Sequence, residues 1–105
     1  MLARVNFIPV GTGEEMKELI AKALKIIDKS ELDYQLTAMG TIIEGEWDEI
    51  IFLVKKCNDE IKKFANRIVI NIDIDDRKDL VNRLKNNVLE IEYAVGGDLK
   101  TNGLT

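Results

Sequence analysis

Histidine is absent from this sequence of 105 residues, and several other residue types are scarce. The chain has one cysteine, Cys57, one proline, Pro9, and only 6% aromatic residues. Without histidine, Ser-His and Cys-His catalysis and histidine-ligated metal sites are excluded. A single cysteine excludes an internal disulfide and a cluster of thiolate metal ligands.

Long hydrophobic runs and an excess of positive charge are also missing. The apolar run at residues 50–54 is far shorter than the roughly 20 residues that a membrane-spanning helix needs. Residues 1–7 lack the charged and apolar regions of a targeting segment, so we expect a cytoplasmic protein without a membrane partner. Fifteen basic and nineteen acidic residues give a net charge of −4, which argues against binding to nucleic-acid phosphates.

The residues that are present favour a single packed domain. The chain is 46% hydrophobic and 32% charged, and we expect one domain over residues 1–95 and a flexible tail over residues 96–105. The apolar spacing predicts a strand at 3–10, a helix beginning after Thr12, strands at 33–38 and from 41, a helix from about Glu46, and a strand at 68–75. This order predicts an α+β, ferredoxin-like βαββαβ fold, in which two helices cover one face of a four-stranded antiparallel sheet.

Three local features refine this prediction. Thr12 and Glu15 have the spacing of a capping box for the first helix. A turn at Met39 and Gly40 pairs Ala38 with Thr41 and Leu36 with Ile43, so that Leu36 and Ile43 share the core. The second helix is expected to bury an apolar stripe that consists of Trp47, Ile50, Ile51, Val54, Cys57, Ile61 and Phe64.

The region after residue 77 has two interpretations. Leu80, Leu84, Val88, Ile91 and Val95 recur at helical spacing, which favours a helix from about residue 78 to 94, ended by Gly96. Residues 89–93 also alternate as in a strand, so whether residues 88–95 form a helix or a strand stays open.

The sheet face opposite the two helices, here called the open face, has a mixed composition. Its predicted residues are Arg4, Asn6, Ile8, Gln35, Thr37, Ile42, Glu44, Val69, Asn71 and Asp73. The aliphatic members would contact water in a lone domain, which favours self-association through this face or through strand edges. The alternative is a monomer in which the third helix folds across the face.

The residues offer little support for catalysis or metal binding. Cys57 lies on an apolar helix stripe and is expected in the core. Asp73, Asp75, Asp76 and Asp79 adjoin basic residues and are typical of a solvated strand end. Without histidine, Glu44, Asp73, Tyr34 and Arg4 are the candidates for a titrating group, and they show no recognised catalytic spacing. We therefore expect no catalytic residue, no metal site and no required cofactor, rather than an enzyme of the small dimeric α+β barrel kind.

Three blocks carry a family resemblance: Ile8–Thr12, Tyr34–Gly45 and Asp73–Arg77. In order and spacing they resemble the thiamine-binding protein family of small ferredoxin-like proteins, the UPF0045 or DUF77 group. The resemblance extends to about Val95, although Ala38 stands where the family often has proline. It implies a ferredoxin-like subunit with an extra C-terminal helix, assembled as a homodimer or homotetramer, that binds thiamine or its hydroxymethylpyrimidine part without catalysis.

The same resemblance implies a set of ligand contacts. By position, Thr37, Met39, Thr41 and Glu44 match the hairpin motif of the family, and Asn6 and Ile8 extend this set along the first strand. Hydroxyl and amide groups suit an aminopyrimidine, and a carboxylate suits the thiazolium cation of thiamine. An alternative is an oligomeric regulatory or assembly module of ACT-like type, with a different small ligand or a protein partner.

Overall fold

Four strands and three helices make up the part of the chain, residues 1–79 and 81–101, that the computed structural model describes. In chain order they are β1 (Leu2–Val10), α1 (Met16–Lys29), β2 (Asp33–Thr37), β3 (Gly40–Glu44), α2 (Trp47–Lys62), β4 (Arg67–Asp75) and α3 (Arg83–Val95). A 3-10 turn, Gly13–Glu15, leads into α1.

The strands form one antiparallel sheet in the order β2-β3-β1-β4. The alternation of β1 explains its position, because Ala3, Val5 and Phe7 are buried under the helices while Arg4 and Ile8 face away from them. α1 and α2 pack together over this face and supply much of the core, including Ala23, Ile27, Ile50, Cys57 and Ile61. The predicted α+β, ferredoxin-like architecture is confirmed.

The predicted register of the β2-β3 hairpin is wrong by one position on each strand. Thr37 pairs with Gly40, and Leu36 pairs with Thr41 instead of Ile43, so that Ala38 and Met39 form the turn. The Thr37 hydroxyl stabilises this turn by donating to the Gly40 carbonyl at 2.7 Å and accepting the Met39 N–H at 3.1 Å. Leu36 consequently lies near the sheet end and is 62% exposed. The side-chain faces are unchanged, because the error spans a full two-residue period.

The capping box predicted at Thr12 is also wrong. Thr12 precedes the 3-10 turn and its side chain makes no capping hydrogen bond, while its carbonyl accepts the Glu15 N–H at 3.1 Å. α2 begins where expected, after Glu46, whose N–H donates to the Glu49 carboxylate at 3.0 Å.

The buried stripe of α2 is narrower than predicted. Ile50, Val54, Cys57 and Ile61 are buried as expected, joined by Leu53. The remaining predicted members, Trp47, Ile51 and Phe64, are exposed. Trp47 lies in the first turn of α2, where its indole N–H donates to the Asp76 carboxylate at 2.9 Å. Its role is therefore a polar link to the segment after β4 and not core packing.

The C-terminal segment is a helix and not a strand, although it begins at Arg83, later than predicted. Positive φ angles at Asp79 (67°) and Asn82 (57°) interrupt the chain before it. Gly96, at φ 84°, ends it with an N–H that bonds to the carbonyls of Glu92 and Tyr93. Leu80, a member of the predicted stripe, lies outside the described residues, as do residues 102–105 of the predicted flexible tail.

Within the described ranges, no helix combines the length and apolar character that a membrane crossing requires.

Candidate functional site

Strand register fixes which side chains share the open face. Cross-strand pairs place Arg4 between Ile42 and Asp73, and Asn6 beside Asn71. Ile8 lies opposite Val69 near the end of β1. The predicted composition of this face is confirmed: Ile8 and Val69 lie next to the Asn6 and Asn71 pair, and Ile42 lies beside Arg4.

The turn of the β2-β3 hairpin is tied to the centre of this face by Asn6. The Asn6 amide donates to the Met39 carbonyl at 3.2 Å. Gly40 allows this approach, because a Cβ at that position would lie 2.8 Å from the Asn6 side-chain oxygen. The Met39 side chain itself is 75% exposed. Three of the predicted contact residues, Asn6, Thr37 and Met39, are therefore brought together at the hairpin.

Two further predicted residues lie on the open face but apart from the hairpin. Ile8 is partly exposed further along β1. Glu44 is at the far end of β3, opposite Leu2. A shallow crevice of about 220 Å³ lies at the start of β1 and the end of β4, lined by residues that include Ile42 and the ion-paired Arg4 and Asp73.

Thr41 is separated from the other predicted contact residues. It pairs with Val5 and Leu36, so its side chain points to the helix-covered face of the sheet. It is 3% exposed. The sequence motif places Thr41 near Thr37 in the chain, but the strand alternation places their side chains on opposite faces.

The Glu44 carboxylate caps the N-terminus of α3. One of its oxygens accepts the Arg83 N–H at 2.8 Å and the other accepts the Leu84 N–H at 3.1 Å. These N–H groups have no partner inside the helix, and the helix dipole adds to their attraction for a negative charge. Glu44 therefore positions α3 against the end of β3.

Arg83 is a structurally important residue that the sequence reasoning missed. It is 6% exposed, and its guanidinium donates to the Asp75 carbonyl at 2.9 Å and to the Asp75 carboxylate. The link joins α3 to the end of β4. The sequence carries no clear signal for this role, because Arg83 follows Asn82 and lies close to a second basic residue, Lys85.

A second cavity, of about 320 Å³, separates α3 from the edge strand β2. Its lining includes Gln35, Leu84, Val88, Glu92 and Thr101. The Gln35 amide donates to the Thr101 carbonyl at 2.7 Å, so the chain after α3 returns to the sheet at this point. The lining thus combines apolar side chains with an amide and with the charged Lys85 and Glu92.

The structure also bears on the candidate metal ligands and titrating groups. Within the described ranges, no three His, Cys, Asp or Glu residues are placed to hold a metal ion. Cys57 is fully buried, donates its S–H to the Ala23 carbonyl, and has a pKa raised to about 11 by burial. The pKa of Tyr34 is raised because its hydroxyl donates a hydrogen bond to the Asp28 carboxylate at 2.6 Å.

Comparison with known proteins places the chain among small proteins of the same fold. A family model described as "Thiamine-binding protein" matches residues 3–92. UPF0045 protein MJ1052 of Methanocaldococcus jannaschii is 32% identical over 99 residues, which cover 94% of each chain. UPF0045 protein YqgV of Bacillus subtilis is 31% identical over 93 residues, which cover 83% of this chain and 89% of that protein.

Solved structures agree with this assignment. The crystal structure of MJ1052 aligns with a TM-score of 0.78 over 86% of this chain and 93% of its own. A Thermotoga maritima protein, TM0486, is 24% identical and shares the fold, with a TM-score of 0.75 over 86% of this chain and 96% of its own. The region matched by the family model contains nearly the whole sheet, the hairpin and most of α3. The chain belongs to the thiamine-binding protein family, the UPF0045 group.

Proposed function

We propose that this protein binds thiamine or its hydroxymethylpyrimidine part on the open face, at or near an interface between copies of the chain, without catalysis. The observation that carries the proposal is the family match over residues 3–92. TM0486, of the same fold, is described as a candidate thiamine biosynthesis or salvage protein. The geometry of the hairpin supports this ligand class.

An aminopyrimidine ring needs in-plane hydrogen-bond partners and an apolar surface against its face. Asn6 and Asn71 are cross-strand neighbours and supply amide groups at the centre of the open face. Met39 supplies a polarizable thioether that is free to contact a ring. We therefore assign Asn6, Thr37, Met39 and Ile8 to the ligand site and leave out Thr41, which lies on the other face.

Glu44 has a more specific role in the proposal. Thiamine has a permanent positive charge on its thiazolium ring, whereas hydroxymethylpyrimidine is neutral. Among the predicted contact residues, Glu44 is the one with a charged side chain. Its carboxylate already accepts hydrogen bonds from two N–H groups of α3. A thiazolium beside Glu44 would share this carboxylate with the helix, because an ionised carboxylate accepts several hydrogen bonds and ion pairs at once.

Calorimetric titration with thiamine and with hydroxymethylpyrimidine tests the binding. We expect saturable heat, and a stabilisation of about 2.7 kcal/mol when the free ligand reaches 100 times its Kd. Met39→Ala should weaken binding, whereas Phe52→Ala, which removes another exposed apolar side chain on the remote helix α2, should not. Absence of heat and of any thermal shift at millimolar concentrations of both compounds would refute the proposal.

A Glu44→Gln variant separates the two ligands. If Glu44 faces the thiazolium, this variant weakens binding of thiamine more than binding of the neutral pyrimidine. An equal loss for both ligands would show that Glu44 acts only through its support of α3.

Self-association is the second part of the proposal. Ile8 and Val10 are partly exposed on β1, and α3 does not cover this end of the open face. Burial of these side chains against a second copy removes apolar surface from water. Light scattering after size exclusion, with and without thiamine, measures the mass. A mass of one chain at all concentrations would contradict an interfacial site.

A further inference from the structure

The apolar stripe of α3 continues beyond the part that contacts its own sheet. Leu84, Val88, Ile91 and Val95 follow one another at helical spacing, on one face of the helix. The first two are half-buried beside β2 and β3. The last two are 60% and 61% exposed. One face of a single helix is thus half-buried at its start and exposed at its end.

The molecule as a whole is elongated. Its extents are 47 × 30 × 21 Å and its radius of gyration is 15.1 Å, compared with about 13 Å for a compact chain of this length. We call residues 89–95 the arm. The arm presents Ile91 and Val95 to solvent, together with Tyr93 on the opposite side of the helix.

The same chain carries a surface that complements the arm. At the end of β1 and the start of β4 the open face presents Ile8, Val10 and the half-buried Val69, with Arg67 beside Val10. The part of α3 that follows Lys85 contains Glu90 and Glu92 and no basic residue. The arm is therefore apolar with two carboxylates, while the bare end of the sheet is apolar with the Arg67 guanidinium, and such charges attract each other.

We propose that the arm of one copy packs onto the open face of a second copy, over Ile8, Val10 and Val69, and that the exchange is reciprocal. The inference rests on the proposed self-association and adds its geometry. Reciprocal exchange gives a closed two-fold contact, in which each copy buries both of its bare surfaces. The arm would then form one wall of the ligand site of its partner, because Ile8 belongs to the same face as Asn6 and Met39.

Disulfide trapping tests this geometry. We would introduce Ile91→Cys and Ile8→Cys together and oxidise the full-length protein under native conditions. The native Cys57 is buried in the core, so it does not compete for the new thiols. We expect a covalent dimer on a non-reducing gel. The single-cysteine variants serve as controls and should give little dimer. A second control pairs Ile8→Cys with Tyr93→Cys, which lies on the opposite side of α3, and it should also give little dimer.

Charge insertion gives an independent measurement. Ile91→Lys should weaken the self-association constant by an order of magnitude or more, because it places a charge in the apolar contact. Tyr93→Lys, which changes a residue that is 90% exposed, should leave the constant within a factor of about three of the wild type. Circular dichroism checks that both variants fold.

The outcomes separate this inference from the proposed function. A stable oligomer that gives no covalent dimer with the Ile91 and Ile8 pair, and that is insensitive to Ile91→Lys, would overturn the arm exchange while self-association stands. A protein of one-chain mass that still binds thiamine would overturn both the exchange and the interfacial site, but not ligand binding.

Discussion

Gly40 combines a backbone conformation and a close neighbour that only glycine tolerates. Its φ is +134°, and an added Cβ would lie 2.8 Å from the Asn6 side chain. We expect Gly40→Ala to lower the free energy of unfolding by about 1–3 kcal/mol and to displace Asn6 from the Met39 carbonyl. Urea denaturation followed by circular dichroism measures the loss.

Gly97→Ala is the matched control for this prediction. Gly97 has no positive φ and would meet no atom within 4 Å, so this variant should change the free energy of unfolding by less than about 0.5 kcal/mol. Equal effects of the two substitutions would show that the contact with Asn6 does not determine the role of Gly40.

Cys57 should make stability fall in alkaline solution. Burial raises the pKa of its thiol from 9.0 to about 11, so between these values the folded protein holds a proton that the unfolded chain has lost. The stabilisation is therefore fully present below about pH 9 and is lost as the pH rises through about 11. Tyr34 has the same sign, because its pKa is also raised.

The Cys57→Ala variant isolates this contribution. This variant removes the titrating thiol, so its free energy of unfolding should fall less steeply between pH 9 and 11 than that of the wild type. The smaller side chain also lowers stability, but this loss is the same at every pH. A thiol reagent at pH 8 should also modify native Cys57 slowly and the unfolded chain quickly. Identical slopes for the two proteins would contradict the raised pKa.

The sequence predicts which face of an element a residue occupies better than it predicts the contacts of that residue. The alternation of β1 places Asn6 and Ile8 correctly on the open face. Trp47, by contrast, has the spacing of a core residue but bonds to Asp76, 29 positions away in the chain. The Glu44 carboxylate caps a helix that begins 39 positions later. Spacing along one element carries no information about partners that only the tertiary fold brings together.

The hairpin between β2 and β3 shows the same limit for an element. Met39-Gly40 is a plausible turn sequence, yet the turn is formed by Ala38 and Met39. The Thr37 hydroxyl bonds to both sides of the turn, and Gly40 packs against Asn6 of another strand. The second of these contacts is long-range, so local turn preferences favoured the wrong register. The two-residue period nevertheless preserved the faces.

Helix α3 depends on charge at its N-terminus. The Glu44 carboxylate accepts the N–H groups of Arg83 and Leu84, so Glu44→Gln should lower stability by about 0.5–2 kcal/mol and increase hydrogen exchange across residues 83–95. Mass spectrometry of the exchanged peptides measures the second effect.

Glu90→Gln makes the same change of charge within α3, at an exposed position. It should leave the exchange of α3 close to that of the wild type. If Glu90→Gln increases the hydrogen exchange of α3 as much as Glu44→Gln does, the effect of Glu44 comes from net charge and not from capping.

The whole fold was more predictable than its details. Ile68, Ile70 and Ile72 alternate with more polar residues in β4, and the two halves of the chain repeat one strand-helix-strand pattern. These patterns extend over many residues, so single errors in capping or register did not alter the topology. The start of α3 was placed too early because Asp79 and Asn82 adopt left-handed conformations that apolar spacing does not reveal.

The proposed self-association would make thermal stability depend on protein concentration. If folding and association are linked, the melting temperature should rise by several degrees, on the order of 5–10 °C, over a roughly hundredfold increase in concentration above the Kd. Ile8→Lys places a charge on the open face and should remove this dependence, whereas Leu36→Lys changes an exposed residue of the other face and should retain it. Scanning calorimetry at several concentrations gives the comparison. A melting temperature of the wild type that does not change with concentration would mean that the open face stays in contact with water, and the ligand site would then have to be complete within one chain.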